Sequence, residues 1–469
     1  MPSALLPVRH FFSSAALRAA LPALTGTLML AGCSPEQSVP APNAAAIDLS
    51  SYLAVGDNYT AGYSDGGLTL TGQQYSIPAL LDQQFAQATG RTSTFTQPLF
   101  PAGAGTGYLQ LRTLDANGQP LTNRVTAGRT TINSFINTAA CGGGTDTVFQ
   151  YQRATNTLPQ NLGVPFMRLS QIELSGLGNQ TNLRRADQFN PFLERLLPAN
   201  DSRTYLQLVT DASAKATFFT FFMGLGDALP YVLTGGDCAA ALPNSGINTA
   251  AKKILDKLTA GGRPGIICLA PDNLNQLPLV GRGSDARVRT LIGPNDTVFV
   301  RTFPANAVRA MDPRDYLLPN ALAQLGVAQT VQLPGGGTAS LRYGLDKRNP
   351  ITRRDVLDQA EYTRVNPAIT ALNTELIRLA DQVYKIPVIN RGQNGVNVYN
   401  QIASGFSVNG VKYTDAPVRG NFYSLDQYSL TPRGNGIMTN AIIREINRFY
   451  GASIPLLDPN TLPTAAKPE

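Results

Sequence analysis

The chain has 469 residues, 43% of them hydrophobic and 15% charged, which suits a folded protein with a sizeable core and excludes an intrinsically disordered chain. The formal net charge is +7, but the basic residues are scattered and Arg353-Arg354 reads as solvated surface, so the clustered stripe that nucleic-acid binding needs is missing. The length accommodates one large domain or two to three average ones.

Residues 1–33 read as a secretory signal. Arg9 and Arg18 give a positive front, and the apolar run from Ala19 to Leu30 is too short to span a bilayer. It ends in Leu30-Ala31-Gly32-Cys33, which resembles a bacterial lipobox and implies lipidation at Cys33. The expectation is a lipid-anchored protein of the cell envelope, on the outer membrane, with residues 34–48 as a flexible tether. Removal of the signal takes away Arg9, Arg18 and also His10, the only histidine; the mature charge becomes +5 and the mature chain holds no imidazole. The commonest general base near neutral pH is therefore lost. Cys141, Cys238 and Cys268 remain, enough for at most one disulfide; Cys238 and Cys268 are one pair that would close an inserted loop. With no histidine and no CxxC spacing, neither a metal site nor a cofactor is expected.

In chain order, Tyr52-Leu53-Ala54-Val55-Gly56 reads as a buried strand that breaks into a polar turn at Asp57-Asn58. Ile77, Leu80, Leu81 and Phe85 are spaced for a helix, with Pro78 at its start. Residues 101–160, rich in Gly, Thr and Asn, read as loops with short strands, with turn cues at Ala116-Asn117-Gly118 and at Cys141 to Gly144. Asn161 to Phe166 leads into a helix expected to run through Ile172. Thr217 to Met223 is almost continuously apolar, as a central parallel strand buried on both faces would be. An insertion is expected over about 237–350, with a strand at Thr297 to Val300 and a turn at Gly335-Gly336-Gly337. Val356 to Tyr384 gives the longest helical pattern, with Ile369, Leu372, Leu376, Leu379 and Val383 on one stripe. Ile386 to Ile389 is a last strand, and Thr431 to Tyr450 a closing helix with Thr431 as N-cap and Pro432 at its first position. This alternation predicts a three-layer α/β/α, flavodoxin-like fold around a central parallel sheet, as a single domain over 49–455 with a tail over 456–469.

Four stretches carry a further pattern: Gly56-Asp57-Asn58-Tyr59-Thr60-Ala61-Gly62, Asn161-Leu162-Gly163-Val164-Pro165-Phe166, Gly224-Leu225-Gly226-Asp227 and Asp426-Gln427-Tyr428-Ser429. In this order they resemble the four catalytic blocks of the SGNH/GDSL hydrolases, a family of esterases and lipases, and most closely its large Bacteroidetes-type lipoprotein members. These share the Thr-Ala-Gly continuation, an approach like Gly72-Gln73-Gln74 and a Thr431-Pro432-Arg433-Gly434 segment. The likeness covers roughly residues 50–450. It implies a serine nucleophile, a glycine and an asparagine as oxyanion donors, and a histidine base. Asn58, Phe166, Gly226 and Ser429 stand at those four positions, while the orienting Asp426 is kept. Losing one oxyanion donor costs roughly a hundredfold or more in rate.

A scaffold kept with its reaction lost is the reading that follows. Asp57, Asn58, Tyr59, Phe166, Asp227 and Tyr428 become candidate binding residues, with Tyr63 and Gln74 beside them, for an acylated glycan or a lipid. Each has a plainer role: Asn58 as a turn asparagine, Phe166 as core filler, and Asp57, Asp227 and Asp426 as loop caps. The acid–base use of a carboxylate pair and a nucleophile at Thr60, Ser64 or Ser429 are the enzymatic alternatives, giving an ester hydrolase with a non-standard catalytic set. A third possibility is a structural subunit of an outer-membrane assembly, docking a protein partner through the insertion.

Overall fold

The computed structural model describes residues 47–466 apart from 115–119, 127–128, 137–144, 154–157, 183–187, 238–242, 244–245, 280, 283–285, 303–305 and 393–396. The signal, Cys33, Cys141, Cys238 and both turn cues of 101–160 therefore lie outside the described residues, as does the tether up to residue 46.

Five parallel strands form the central sheet: β1 (Tyr52–Gly56), β2 (Asn161–Gly163), β3 (Phe218–Phe222), β4 (Gly265–Cys268) and β5 (Val388–Ile389), in the spatial order β5-β4-β3-β1-β2. The apolar run of β3 has a direct cause. Phe218 and Phe222 enter the core on one face of the sheet while Phe219 and Phe221 enter the core on the other, and all four are buried. β1 divides likewise, with Tyr52 and Ala54 on the first face and Leu53 and Val55 on the second. Each large apolar side chain buried this way contributes about 1.5–3 kcal/mol. The Tyr52 and Thr220 hydroxyls, 2.7 Å apart, satisfy each other inside the first core.

Helices cover both faces. On the first lie α1 (Ile77–Thr89) and α6 (Pro432–Tyr450), through Leu81, Phe85, Ile442 and Ile446. On the second lie α2 (Tyr205–Ser213), α4 (Ile247–Leu258) and the carboxyl half of α5 (Gln359–Arg378), through Leu208, Ile254, Leu372 and Leu376. A further helix, α3 (Leu225–Val232), leaves β3 directly. The expected cap forms, with Thr431 Oγ1 accepting the Gly434 N–H ahead of α6, and Ser76 Oγ likewise accepts the Ala79 N–H ahead of α1. No helix among the described residues is long and apolar enough to cross a membrane.

Several expectations need correction. The insertion begins later than residue 237, because Ile247–Leu258 is a core helix and Gly265–Cys268 a sheet strand; glycines 261, 262 and 265 and Pro264 around them disguise a short strand as loop. The true excursion is residues 281–357, two small hairpins and a three-stranded sheet around a separate core of Val300, Leu317, Leu322, Ile351 and Val356. The helix expected through Ile172 is a single 3-10 turn, Leu169–Gln171. Val383 is exposed, since α5 widens into a π-turn over Leu379–Tyr384 that carries it off the apolar stripe. Cys268 is a free thiol buried in β4, and Cys238, named with it as one disulfide pair, lies outside the described residues. Residues 456–466 are not a loose tail: Leu457 N–H donates to Asn440 Oδ1, and Arg433 donates to the Leu462 and Asn460 carbonyls.

Candidate functional site

Gly56 at the end of β1 stands in register with both Gly163 of β2 and Phe222 of β3. The turns that leave these strands, 57–58, 164–166 and 223–226, therefore meet at the carboxyl edge of the sheet, where open α/β folds place their ligands. A loop over 424–429, just ahead of α6, closes over them.

Buried carboxylates hold the turns together. Asp57 Oδ2 accepts the N–H groups of Gly224 (3.2 Å) and Gly226 (2.8 Å), tying β1 to the start of α3. Asp227 Oδ2 accepts the Leu169 N–H at 2.9 Å, tying α3 to the turn after β2. Asp426 gathers the N–H groups of Tyr428, Ser429 and Gly66 and the Ser424 hydroxyl. Burial pushes the Asp57 carboxyl up to about 6 and that of Asp227 up to about 7, against the pull of these N–H donors; Asp426 is raised for the same reason. All three act as caps on the loops that shape the site.

Asn58 is fully buried in the first turn, and its Oδ1 accepts the main-chain N–H of Phe166 at 2.9 Å. Phe166 holds a left-handed backbone, φ 58°, which costs a side chain of this size roughly 1–2 kcal/mol. Its ring offsets that strain by packing at 5.3 Å on Tyr63, 6.3 Å on Phe192 and 6.5 Å on Tyr428. Gly226 faces the same turn so closely that a Cβ there would lie 2.2 Å from the Met167 carbonyl oxygen. Position 226 has no room for any side chain, whatever its chemistry.

Asp57, Asn58, Tyr59 and Asp227 thus come together, all buried and engaged with backbone or with one another's turns; the Tyr59 hydroxyl donates to the Tyr428 carbonyl. Tyr63 and Tyr428 reach a cleft, Phe166 is half-buried behind them, and Gln74 is exposed on another surface. Thr60, Ser64 and Ser429 are buried; the Ser64 hydroxyl donates to the Leu430 carbonyl. The Ser424 hydroxyl donates to Asp426 Oδ1 at 3.0 Å, a carboxylate that also accepts three main-chain N–H groups.

The cleft has a volume of about 520 Å³ and lies between this edge, the ribbon Tyr108–Leu114/Pro120–Val125 and the helix Pro319–Gln324 of the excursion. Two residues, one beneath the cleft's edge and one lining it, escape a reading of the sequence. Asp65 Oδ1 accepts the Leu425 N–H and Asp65 Oδ2 the Ala466 N–H, and burial pushes its carboxyl up to about 6; the turn signal Asp65-Gly66-Gly67 is the cue that marks it. Gln427 lines the cleft with φ 65°, a conformation that no local signal announces for glutamine.

Comparison with known proteins returns no match: no family model, no curated protein and no solved structure is significantly similar to this chain.

Proposed function

We propose that this chain is a catalytically silent relative of the SGNH/GDSL hydrolases, lipid-anchored at Cys33 in a bacterial envelope, that holds a ligand rather than cleaving one. The observation that carries this reading is the Asn58–Phe166 hydrogen bond. In an esterase of that family the main-chain N–H at position 166 would serve the oxyanion of a tetrahedral intermediate. Here the carboxamide oxygen of Asn58 takes that N–H permanently, from the residue that would have been the nucleophile. The second donor position, Gly226, is filled by the Met167 carbonyl, and the position of the base holds buried Ser429. The order of the four turns around one parallel sheet supports the family assignment, and the absence of any histidine after His10 supports the silence.

The test is an assay of the full-length chain on short-chain nitrophenyl esters and on acetylated glycans, with mass spectrometry for a covalent acyl adduct. No turnover and no adduct are expected. Saturable hydrolysis abolished by one substitution at the cleft would overturn the reading. Radiolabelled palmitate incorporated by the wild type and lost in Cys33→Ala is the result expected for the anchor.

One observation favours a second reading, a subunit of an outer-membrane assembly. Residues 281–357 contain eleven Lys and Arg against six Asp, a net +5 that equals the whole charge of residues 34–469. Arg289, Arg301 and Lys347 make no ion pair among the described residues. Salt-sensitive retention in a membrane complex, lost when Arg289 and Lys347 are reversed in charge, is what that reading expects.

A further inference from the structure

We infer that the open edge of the central sheet, along β5, takes up an extended segment of a partner protein as an added strand, and that this segment brings a carboxylate to Arg444 and an apolar side chain to Phe449. The surface shares no lining residue with the cleft and rests on neither reading proposed above.

The backbone register opens the edge. β5 ends the strand order and pairs only with β4. The Ile267 N–H donates to the Pro387 carbonyl and the Leu269 N–H to the Ile389 carbonyl. Pro387 and Ile389 therefore turn their carbonyls to β4, and the N–H and carbonyl of Val388 point the other way. Neither has a hydrogen-bond partner among the described residues, although Val388 is only 3% exposed. Main-chain groups buried without partners are rare and costly. Pro387 has no N–H to offer and Asn390 turns left-handed at φ 62°, so the open edge is one residue long. One residue of an antiparallel strand would satisfy both groups.

The flanks leave room for that strand. A depression of about 640 Å³ lies against Pro387, Val388 and Ile389, between the π-turn after α5 on one face of the sheet and α6 on the other. The two helical layers continue past β5, and the next strand would stand between them about 4.8 Å away. Phe449 borders the depression and remains 43% exposed, an aromatic ring facing water at the rim of a concavity.

The side chains choose the partner. Val388 enters the second core, so the residue opposite it points to that face and the two residues beside it point to α6. Tyr450, at the end of α6, donates to the Gly265 carbonyl at the start of β4, so α6 runs against the sheet and an added antiparallel strand runs with α6. Arg444 and Phe449 are five residues apart, about 7.5 Å along a helix, which matches the roughly 6.8 Å between alternate residues of a strand. Three arginines line the depression against two carboxylates. Arg391 donates to Asp381 at 2.9 Å and Arg448 to Glu445 at 2.9 Å, while Arg444 makes no ion pair among the described residues. An acidic residue, any residue and an apolar one, in that order, is the complement. An anionic lipid headgroup would answer Arg444 but leave Val388 open.

Fluorescence anisotropy of the full-length chain tests this with an end-blocked, labelled peptide, Thr-Asp-Val-Leu-Thr. Saturable binding is expected, at least fivefold weaker when Lys replaces the Asp and at least fivefold weaker when the central Val is N-methylated, which removes its main-chain donor. Amide exchange over residues 386–390 should slow when the peptide is added. Arg444→Glu, at an exposed position, should leave the melting temperature unchanged and reverse the preference between the Asp and Lys peptides. Absence of saturable binding, equal binding of the N-methylated peptide, or indifference to Arg444→Glu would each overturn the inference. So would retention on phosphatidylglycerol vesicles that Arg444→Glu abolishes while no peptide binds, since the surface would then belong to a membrane.

Discussion

Asp65 and Asp426 cap each other's loops. Asp426 Oδ2 accepts the N–H of Gly66, next to Asp65, while Asp65 Oδ1 accepts the N–H of Leu425, next to Asp426. The two buried carboxyls bring together segments some 360 residues apart, and of the two Asp426 lines the cleft beside Gln427 and Tyr428. Their mutual repulsion adds to desolvation in raising the Asp65 carboxyl.

This arrangement makes stability depend on pH in an unusual direction. A carboxyl whose value is raised on folding contributes stability that is complete below its ordinary value and is lost as pH rises through the folded one. Asp57 and Asp65 sit at about 6, Asp227 at about 7 and the largely buried Glu361 at about 8, each through desolvation. With no histidine after His10, these acids dominate titration in that window. The melting temperature should fall steadily from pH 5 to pH 8.5 in scanning calorimetry. Asp227→Asn, whose carboxamide oxygen still accepts the Leu169 N–H, should flatten the segment between pH 5 and 7. A melting temperature that is level or rises over this range would contradict the assignment.

Restoring an amide at position 226 should damage the fold instead of rebuilding an oxyanion site. Gly226→Ala already places a Cβ against the Met167 carbonyl and should destabilise the chain by about 1–3 kcal/mol in urea denaturation, with Gly226→Asn at least as costly. A Gly226→Asn chain as stable as the wild type would show that the Met167 turn yields freely and that the closure is not built in.

How much of this was open to a reader of the sequence depends on the range of the cause. Phe-Phe-Thr-Phe-Phe announced a strand buried on both faces because the signal lies within five residues, and Thr431-Pro432 announced its helix start for the same reason. The replacement of a donor by Gly226 could be read, but not that the Met167 carbonyl fills the space, since that contact joins residues 59 apart. Strand β4 was hidden by its glycine and proline neighbours, and only its pairing with Phe219 to Phe221 makes it a strand. Nothing in the neighbouring residues of Gln427 announces its left-handed backbone or its position on the cleft; both go with the loop's closure against Leu279, a tertiary effect. Asp57, Asn58, Tyr59 and Asp227 lie in or beside the turns at the carboxyl edge of the sheet, and how deeply they lie is a matter of packing.

Asn58→Ser separates structural from catalytic roles at the first turn. The shorter hydroxyl cannot replace Oδ1 at 2.9 Å from the Phe166 nitrogen without moving the turn, so a buried N–H loses its acceptor. A loss of about 1–3 kcal/mol is expected, measured by urea denaturation. No ester hydrolysis should appear with it, because a serine there still lacks a base. Activity gained by this single change would mean that a proton acceptor is already in place.

The carboxyl-terminal strap offers the last test. Ala466 N–H donates to Asp65 Oδ2 at 3.1 Å, and the Ala466 carbonyl accepts from the Thr69 hydroxyl at 3.1 Å. Ending the chain after Leu462 removes both bonds and leaves Asp65 buried with fewer donors, which should cost about 1–3 kcal/mol. Because Asp65 also holds the Leu425 N–H, the loop over 424–429 should become more sensitive to proteolysis, and binding in the cleft should weaken. Ala466→Gly takes away only a methyl group and keeps both main-chain bonds, so it should cost about 1 kcal/mol or less. If the truncated chain matched the wild type in stability and protease resistance, the strap would be a passive end and Asp65 would not depend on it.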